Sequence, residues 1–200
     1  EKYANKFYEE VIHAILKFKK EKDYTQIVNL SHVERVKTIL NNSLSHSGST
    51  LIKEKINDKS IPIIPIKQVD INNPILNQEI FGPILPIIEY KEMHDILKFI
   101  TTKEKPLAIY IFSNNKKNID NILRKTSSGT VVINDCMLQY MNPYLPFGGV
   151  NHSGIGKSGG KRSFLNFTNE KSVLIQKSGF SIGKIFYPPY TNLKTRLAKK

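Results

Sequence analysis

The chain has 200 residues, enough to bury a sizeable core as one domain or as a large piece of one. Hydrophobic content of 40% and charged content of 24% are ordinary for a globular protein, and the single cysteine excludes an internal disulfide and suits a reducing compartment. The formal net charge of +13 points to nucleic acid, an acidic membrane surface or phosphate-bearing ligands, unless biased composition alone produces it, since the lysines are spread along the chain.

The first residues, Glu1-Lys2-Tyr3, are polar and fall within a helical pattern, so the chain is expected to be a fragment of something longer. No run approaches the roughly 18 apolar residues of a membrane span. Residues 1–18 show helical spacing, with Tyr3, Phe7, Val11, Ile12, Ile15 and Leu16 on one face and Lys17, Lys19, Lys20 and Lys22 at a basic C-terminal end. Ser31-His32-Val33-Glu34 matches a capping box and opens a helix carrying Val33, Val36, Ile39 and Leu40. His32 reads as solvent-facing. Neither His13 nor His46 stands at metal-ligand spacing from a cysteine or carboxylate. Residues 41–50 read as a polar loop, followed by strands near 50–55 and 61–69, the second an edge strand because of Pro62 and Pro65.

The stretch Gln78-Glu79-Ile80-Phe81-Gly82-Pro83 draws most notice. In extended backbone Glu79 and Phe81 point the same way. A carboxylate can accept from two neighbouring hydroxyls, as on a ribose, and the ring offers a wall for a heterocycle. The bland alternative is a solvated Glu79 and a core Phe81 flanking a turn. Strand 84–90, helix 92–101, strand 107–113, helix 116–125 and strand 130–134 then alternate, with Gly129 as a helix C-cap. This alternation predicts crossover units in a largely parallel sheet, with Ser113-Asn114 and Asn134-Asp135 at strand carboxyl ends near an active cleft.

The loop 135–149 is rich in apolar residues and is expected to be packed or ligand-lining. Cys136 could be a nucleophile only with a base and a lowered pKa; no histidine constellation accompanies it, and burial is the default. In the segment 148–160, Gly154, Gly156 and Gly159 fit the dinucleotide fingerprint. Residues 151–158 are one residue from a phosphate-binding loop, with Asn151 where the first glycine belongs. Both motifs need a strand before them and a helix after, and Pro146-Phe147-Gly148-Gly149 is not a strand. The alternative is a glycine-supported loop that brings backbone close to another segment. A short helix over 161–169, an alternating strand over 171–177 and an extended basic arm over 178–200 complete the reading.

Taken together, these residues resemble the aldehyde dehydrogenase superfamily. The likeness rests on Glu79-x-Phe81-Gly82-Pro83, on Gly129-x-Val131-x-x-Asn134, on Pro146-Phe147-Gly148-Gly149 with Ser153-Gly154-x-Gly156, and on Phe164-x-x-Phe167-Thr168. Lys105-Pro106-Leu107-Ala108-Ile109-Tyr110-Ile111-Phe112-Ser113 and Tyr187-Pro188-Pro189 resemble its class 3, fatty-aldehyde branch. The resemblance implies an α/β fold: the C-terminal part of a catalytic domain over 1–168, mostly parallel sheet with flanking helices. A bridging, oligomerisation strand over 169–178 and a basic arm over 179–200 follow. It implies NAD or NADP as cofactor, with Glu79 on the nicotinamide-side ribose and Phe81 against the nicotinamide, while Phe147 lines the aldehyde pocket. It implies oxidation of fatty or aromatic aldehydes through a cysteine thioester whose nucleophile, like the water-activating glutamate, lies upstream of Glu1. Cys136 does not match that nucleophile, so no catalytic residue is assigned and the chain alone is expected to be inactive. A homodimer is expected through β-augmentation near Val173. No metal or nucleic acid is expected, and the alternatives are a basic nucleic-acid-binding module or a non-catalytic assembly piece. The expected location is cytoplasmic or the cytosolic face of the endoplasmic reticulum membrane, the basic C-terminal residues being compatible with a membrane-proximal arm.

Overall fold

The computed structural model describes residues 3–19, 25–52, 56, 58–179 and 181–198. Lys20 and Lys22 at the expected helix end, and residues 53–55 of the expected first strand, lie outside the described residues. Helix α1 (Ala4–Lys19) buries Tyr8 and Ile15, whereas Tyr3, Phe7 and Leu16 stay exposed. The inward face is therefore rotated from the expected one. Tyr8 explains the rotation, since its ring packs inward beneath the Lys67 ammonium, 5.3 Å from the centroid, while its hydroxyl accepts from the Leu51 N–H at 2.9 Å.

Helix α2 (Leu30–His46) is capped by Asn29, whose side chain accepts from the His32 N–H at 2.9 Å. The capping box expected at Ser31 does not form: Ser31 is already inside the first turn, and Glu34 pairs with Lys37 instead, at 2.7 Å. The helix also runs through residues 41–46, where a loop was expected. Tertiary hydrogen bonding overrides the polar composition there. Buried Asn73 donates from Nδ2 to the Ser43 and Ser47 carbonyls at the helix end, at 3.1 and 3.2 Å, and its Oδ1 accepts from the Ile75 N–H.

Strands β1 (Ile64–Ile66) and β2 (Ile84–Pro86) pair in parallel, Ile64 opposite Ile84. Ile64 N–H donates to Pro83 and the Ile66 carbonyl accepts from Ile87, so Pro65 owes β2 no donor. Both strands are shorter than expected, and no strand forms over 50–52; Ser49 makes one antiparallel bridge to Lys67 instead. Val33, Val36 and Ile39 of α2 pack with Ile61, Ile64, Ile66, Val69, Ile75 and Ile84 as the main core.

The second half repeats the crossover. Helix α3 (Met93–Thr102) leads to β3 (Ala108–Ile111), and helix α4 (Lys116–Lys125) leads to β4 (Thr130–Ile133), which pairs with β3 in parallel. The α/β class holds, but as two separate two-stranded parallel sheets among the described residues. Gly129 is not a C-cap. Thr126 ends α4, and Gly129 sits where a Cβ would fall on the Gly148 carbonyl oxygen and 2.6 Å from that of Leu107.

Helix α5 (Leu138–Met141) folds within the loop 135–149, and α6 (Gly160–Asn166) follows the glycine-rich segment. Residues 171–177 form no strand; Val173, Leu174 and Ile175 are exposed because no described strand lies beside them. The tail is not simply extended: a 3₁₀ turn (Ile182–Phe186) and helix α7 (Asn192–Ala198) lie in it. No helix among the described residues is long and apolar enough to cross a membrane.

Removing the Asn73 amide takes a donor from the Ser47 carbonyl and leaves the Ser43 carbonyl with only the Ser47 N–H. Asn73→Ala is expected to lower unfolding free energy by about 1–3 kcal/mol in urea denaturation. An unchanged midpoint would show that solvent serves those carbonyls.

Candidate active-site wall

Two segments carry the predicted site residues. The first, 79–82, runs from a 3₁₀ turn (Pro74–Asn77) to β2. Glu79 is exposed, and its carboxylate makes no ion pair among the described residues. Phe81 is 79% exposed, which excludes the core-Phe alternative. Its φ of 45° is left-handed, so the extended geometry expected to align it with Glu79 is not adopted. A bulky residue persists in this region only where surrounding contacts over-determine it.

Helix α2 holds this segment from behind. The Arg35 guanidinium donates to the Glu79 carbonyl at 3.3 Å and to the Ile80 carbonyl at 2.8 Å. Next to it, Val36 packs so closely on Gly82 that a Cβ there would stand 2.9 Å from Val36 Cγ2. Arg35 was not singled out in the sequence, and nothing local to it points 44 residues downstream.

The second segment follows the strand ends. Asn134, at the carboxyl end of β4 with φ 58°, brackets Ser113 at the end of β3. Its Oδ1 accepts from the Ser113 N–H at 2.8 Å, and its Nδ2 donates to the Ser113 carbonyl at 3.1 Å. The expected position of these residues at strand ends is therefore correct. Cys136 is exposed, not buried as the default expectation had it, and no histidine is bonded to its thiol among the described residues. Gln139 is buried and donates to the Tyr110 hydroxyl at 3.1 Å.

Phe147 is half-buried, meeting the Tyr140 ring edge-on with centroids 5.2 Å apart. Its backbone exchanges two 2.8 Å hydrogen bonds with Ser158. Lys157, the residue that would touch phosphate in a P-loop, instead donates to the Gly129 carbonyl at 2.7 Å and to that of Gly148. The phosphate-loop reading thus gives way to its alternative, a glycine-supported loop that brings backbone close to another segment, here the Gly129 region. Lys157 was visible in the sequence, but its role was not.

No hydrogen bond or ring contact among the described residues joins Glu79 or Phe81 to Phe147. A cavity of about 580 Å³, lined by Val69, Ile88, Tyr90, Ile96 and Phe99 among others, includes none of the three.

The model of the aldehyde dehydrogenase family matches residues 1–173. The chain belongs to the aldehyde dehydrogenase family. It is 39% identical over 179 residues to aldehyde dehydrogenase family 3 member A2 of Rattus norvegicus, covering 88% of this chain and 36% of that protein. It is 38% identical over 174 residues to the dimeric NADP-preferring aldehyde dehydrogenase of the same species, covering 86% and 37%. The structure of a substrate-bound state of Staphylococcus aureus AldH superposes with a TM-score of 0.83 at 31% identity, covering 100% of this chain and 44% of that one. The chain thus spans little more than a third of the curated relatives it matches. Family membership accounts for the order of the spaced motifs, and the fold accounts for their glycines: Gly129, Gly148 and Gly149 all lie where a Cβ would strike backbone.

Lys157→Met keeps the length of the side chain and removes its donor. The variant is expected to lose about 1–3 kcal/mol of stability as the Gly129 and Gly148 carbonyls lose their partner. Faster amide exchange should be confined to the loop bearing Phe147; exchange that is unchanged there would deny Lys157 this tie.

Proposed function

We propose that this chain contributes one wall of the active site of an NAD(P)-dependent aldehyde dehydrogenase that oxidises fatty or aromatic aldehydes to carboxylates. The observation that carries the reading is Phe81, exposed in left-handed backbone two residues from an exposed carboxylate. These residues suit a dinucleotide: Glu79 has acceptor oxygens free for vicinal hydroxyls, and Phe81 presents a bare ring for a heterocycle. The dinucleotide supplies the hydride acceptor of the reaction. Glu79 would hold its nicotinamide-side ribose and Phe81 would limit where the ring can lie. Such positioning lowers the barrier by fixing the reacting partners.

Phe147, with Tyr140 against it, would line the aldehyde pocket. The exposed side chains of Met137, Met141 and Tyr144 on the same loop favour an apolar aldehyde. The attacking thiolate is not Cys136 in this reading. A nucleophile needs a base within hydrogen-bond reach, and no described histidine bonds Cys136. The exposed Val173, Leu174 and Ile175 support a homodimer in which 171–177 adds to the partner's sheet.

In the full-length enzyme, Glu79→Gln is expected to raise the dinucleotide KM and slow hydride transfer, roughly ten- to hundredfold for loss of a charged hydrogen bond. Unchanged kinetics would remove Glu79 from the site. The 200-residue chain by itself is expected to show no turnover of a long-chain aldehyde with NAD or NADP. Turnover abolished by Cys136→Ser would make Cys136 the nucleophile and overturn this part of the reading.

A further inference from the structure

Helix α2 reaches the 79–82 segment with two consecutive residues of different chemistry. Val36 seals the core against Gly82, and Arg35 does no core packing of that kind. Its guanidinium is spent on three acceptors: Nε donates to His32 Nδ1 at 3.3 Å, and the two terminal nitrogens donate to the Glu79 and Ile80 carbonyls. Neither carbonyl belongs to the β1–β2 ladder, whose hydrogen bonds to this region begin at Pro83. Immediately after them the chain turns through Phe81 at φ 45°, a conformation unfavourable for a side chain of this size. A planar fork satisfying two successive carbonyls restrains the two peptide planes that lead into that turn. The His32 contact in turn holds the fork, because both residues lie on the first turns of the same helix.

We propose that Arg35 is a positioning residue for the cofactor: it fixes the backbone of Glu79 and Ile80, and thereby the directions in which the Glu79 carboxylate and the Phe81 ring are presented. The inference rests on the reading of Glu79 and Phe81 as the dinucleotide wall. It assigns to a helix outside that wall the control of its geometry. Because the core behind it is closed by Val36, Ile39 and Ile84, loss of the fork loosens the wall without opening the core.

The test uses the full-length enzyme with Arg35→Ala, Arg35→Lys, Glu79→Gln and the Arg35→Ala/Glu79→Gln double variant. Dinucleotide KM, aldehyde KM and the thermal midpoint are measured for each. Arg35→Ala is expected to raise the dinucleotide KM about tenfold, as two carbonyl hydrogen bonds are lost, and to leave the aldehyde KM in place. Arg35→Lys, which keeps the charge but not the fork, should recover only part of the loss. The double variant should fall short of the product of the two single effects, because Arg35 acts through Glu79. A normal dinucleotide KM in Arg35→Ala beside a raised one in Glu79→Gln would overturn the role of Arg35 and leave the wall standing. A normal value in Glu79→Gln would overturn the wall and this proposal with it. Parallel rises in both KM values with a lowered midpoint, or full additivity in the double variant, would make Arg35 structural only. Where Arg35→Ala does not fold, Arg35→Lys carries the test: a raised dinucleotide KM supports the role and an unchanged one ends it.

Discussion

Burial of one face of α2 against the β1–β2 pair supports the first half of the molecule. Each of those strands spans three residues, and each contains a proline, so their ladder alone would not persist in water. Val33, Val36 and Ile39 turn the pair into one side of a closed core with Ile64, Ile66, Ile75 and Ile84. At roughly 1.5–3 kcal/mol for each fully buried large aliphatic side chain, this cluster outweighs any single cap or ion pair in the region. Asn73 then ties the far end of the same helix to the turn that leads into residues 79–82.

The second half is held together by close backbone approach. Gly129, Gly148 and Gly149 leave no room for a Cβ, and Lys157 places an ammonium among the carbonyls that converge there. The charge is used internally, where its hydrogen bonds are stronger than those of a neutral donor. This arrangement presents the Phe147 loop on a frame anchored at the start of β4, while Asn134 anchors the strand ends above it.

Left-handed backbone outside glycine occurs at the rims of these two frames, and also at Asp58, Gln68 and Asn151. Phe81, Asn134 and Met137 all have positive φ without being glycine. Strain of this kind persists only where surrounding contacts over-determine the conformation, and here Arg35, Ser113 and the Tyr110–Met137 contact supply them. The same rims carry large apolar side chains in the open, among them Phe81 and Tyr144.

Periodicity was enough to read α3, α4 and the parallel β3–β4 crossover, because those patterns are local and no distant contact opposes them. The spaced motifs likewise carried the family, since several short signals in a fixed order are far more specific than any one. Distant partners decided the rest. Helix α2 extends past residue 40 because Asn73 meets its end, the inward face of α1 follows from the place found for the Tyr8 ring, and Phe81 leaves extended geometry where Arg35 grips the preceding carbonyls. Lys157, at the lysine position of a near-match to a phosphate loop that lacked its strand and helix context, proved to be a backbone tie, because the Gly129 and Gly148 carbonyls converge on it. A one-dimensional pattern records which side chains can pack or bond, but the identity of the partner depends on the chain closing in three dimensions.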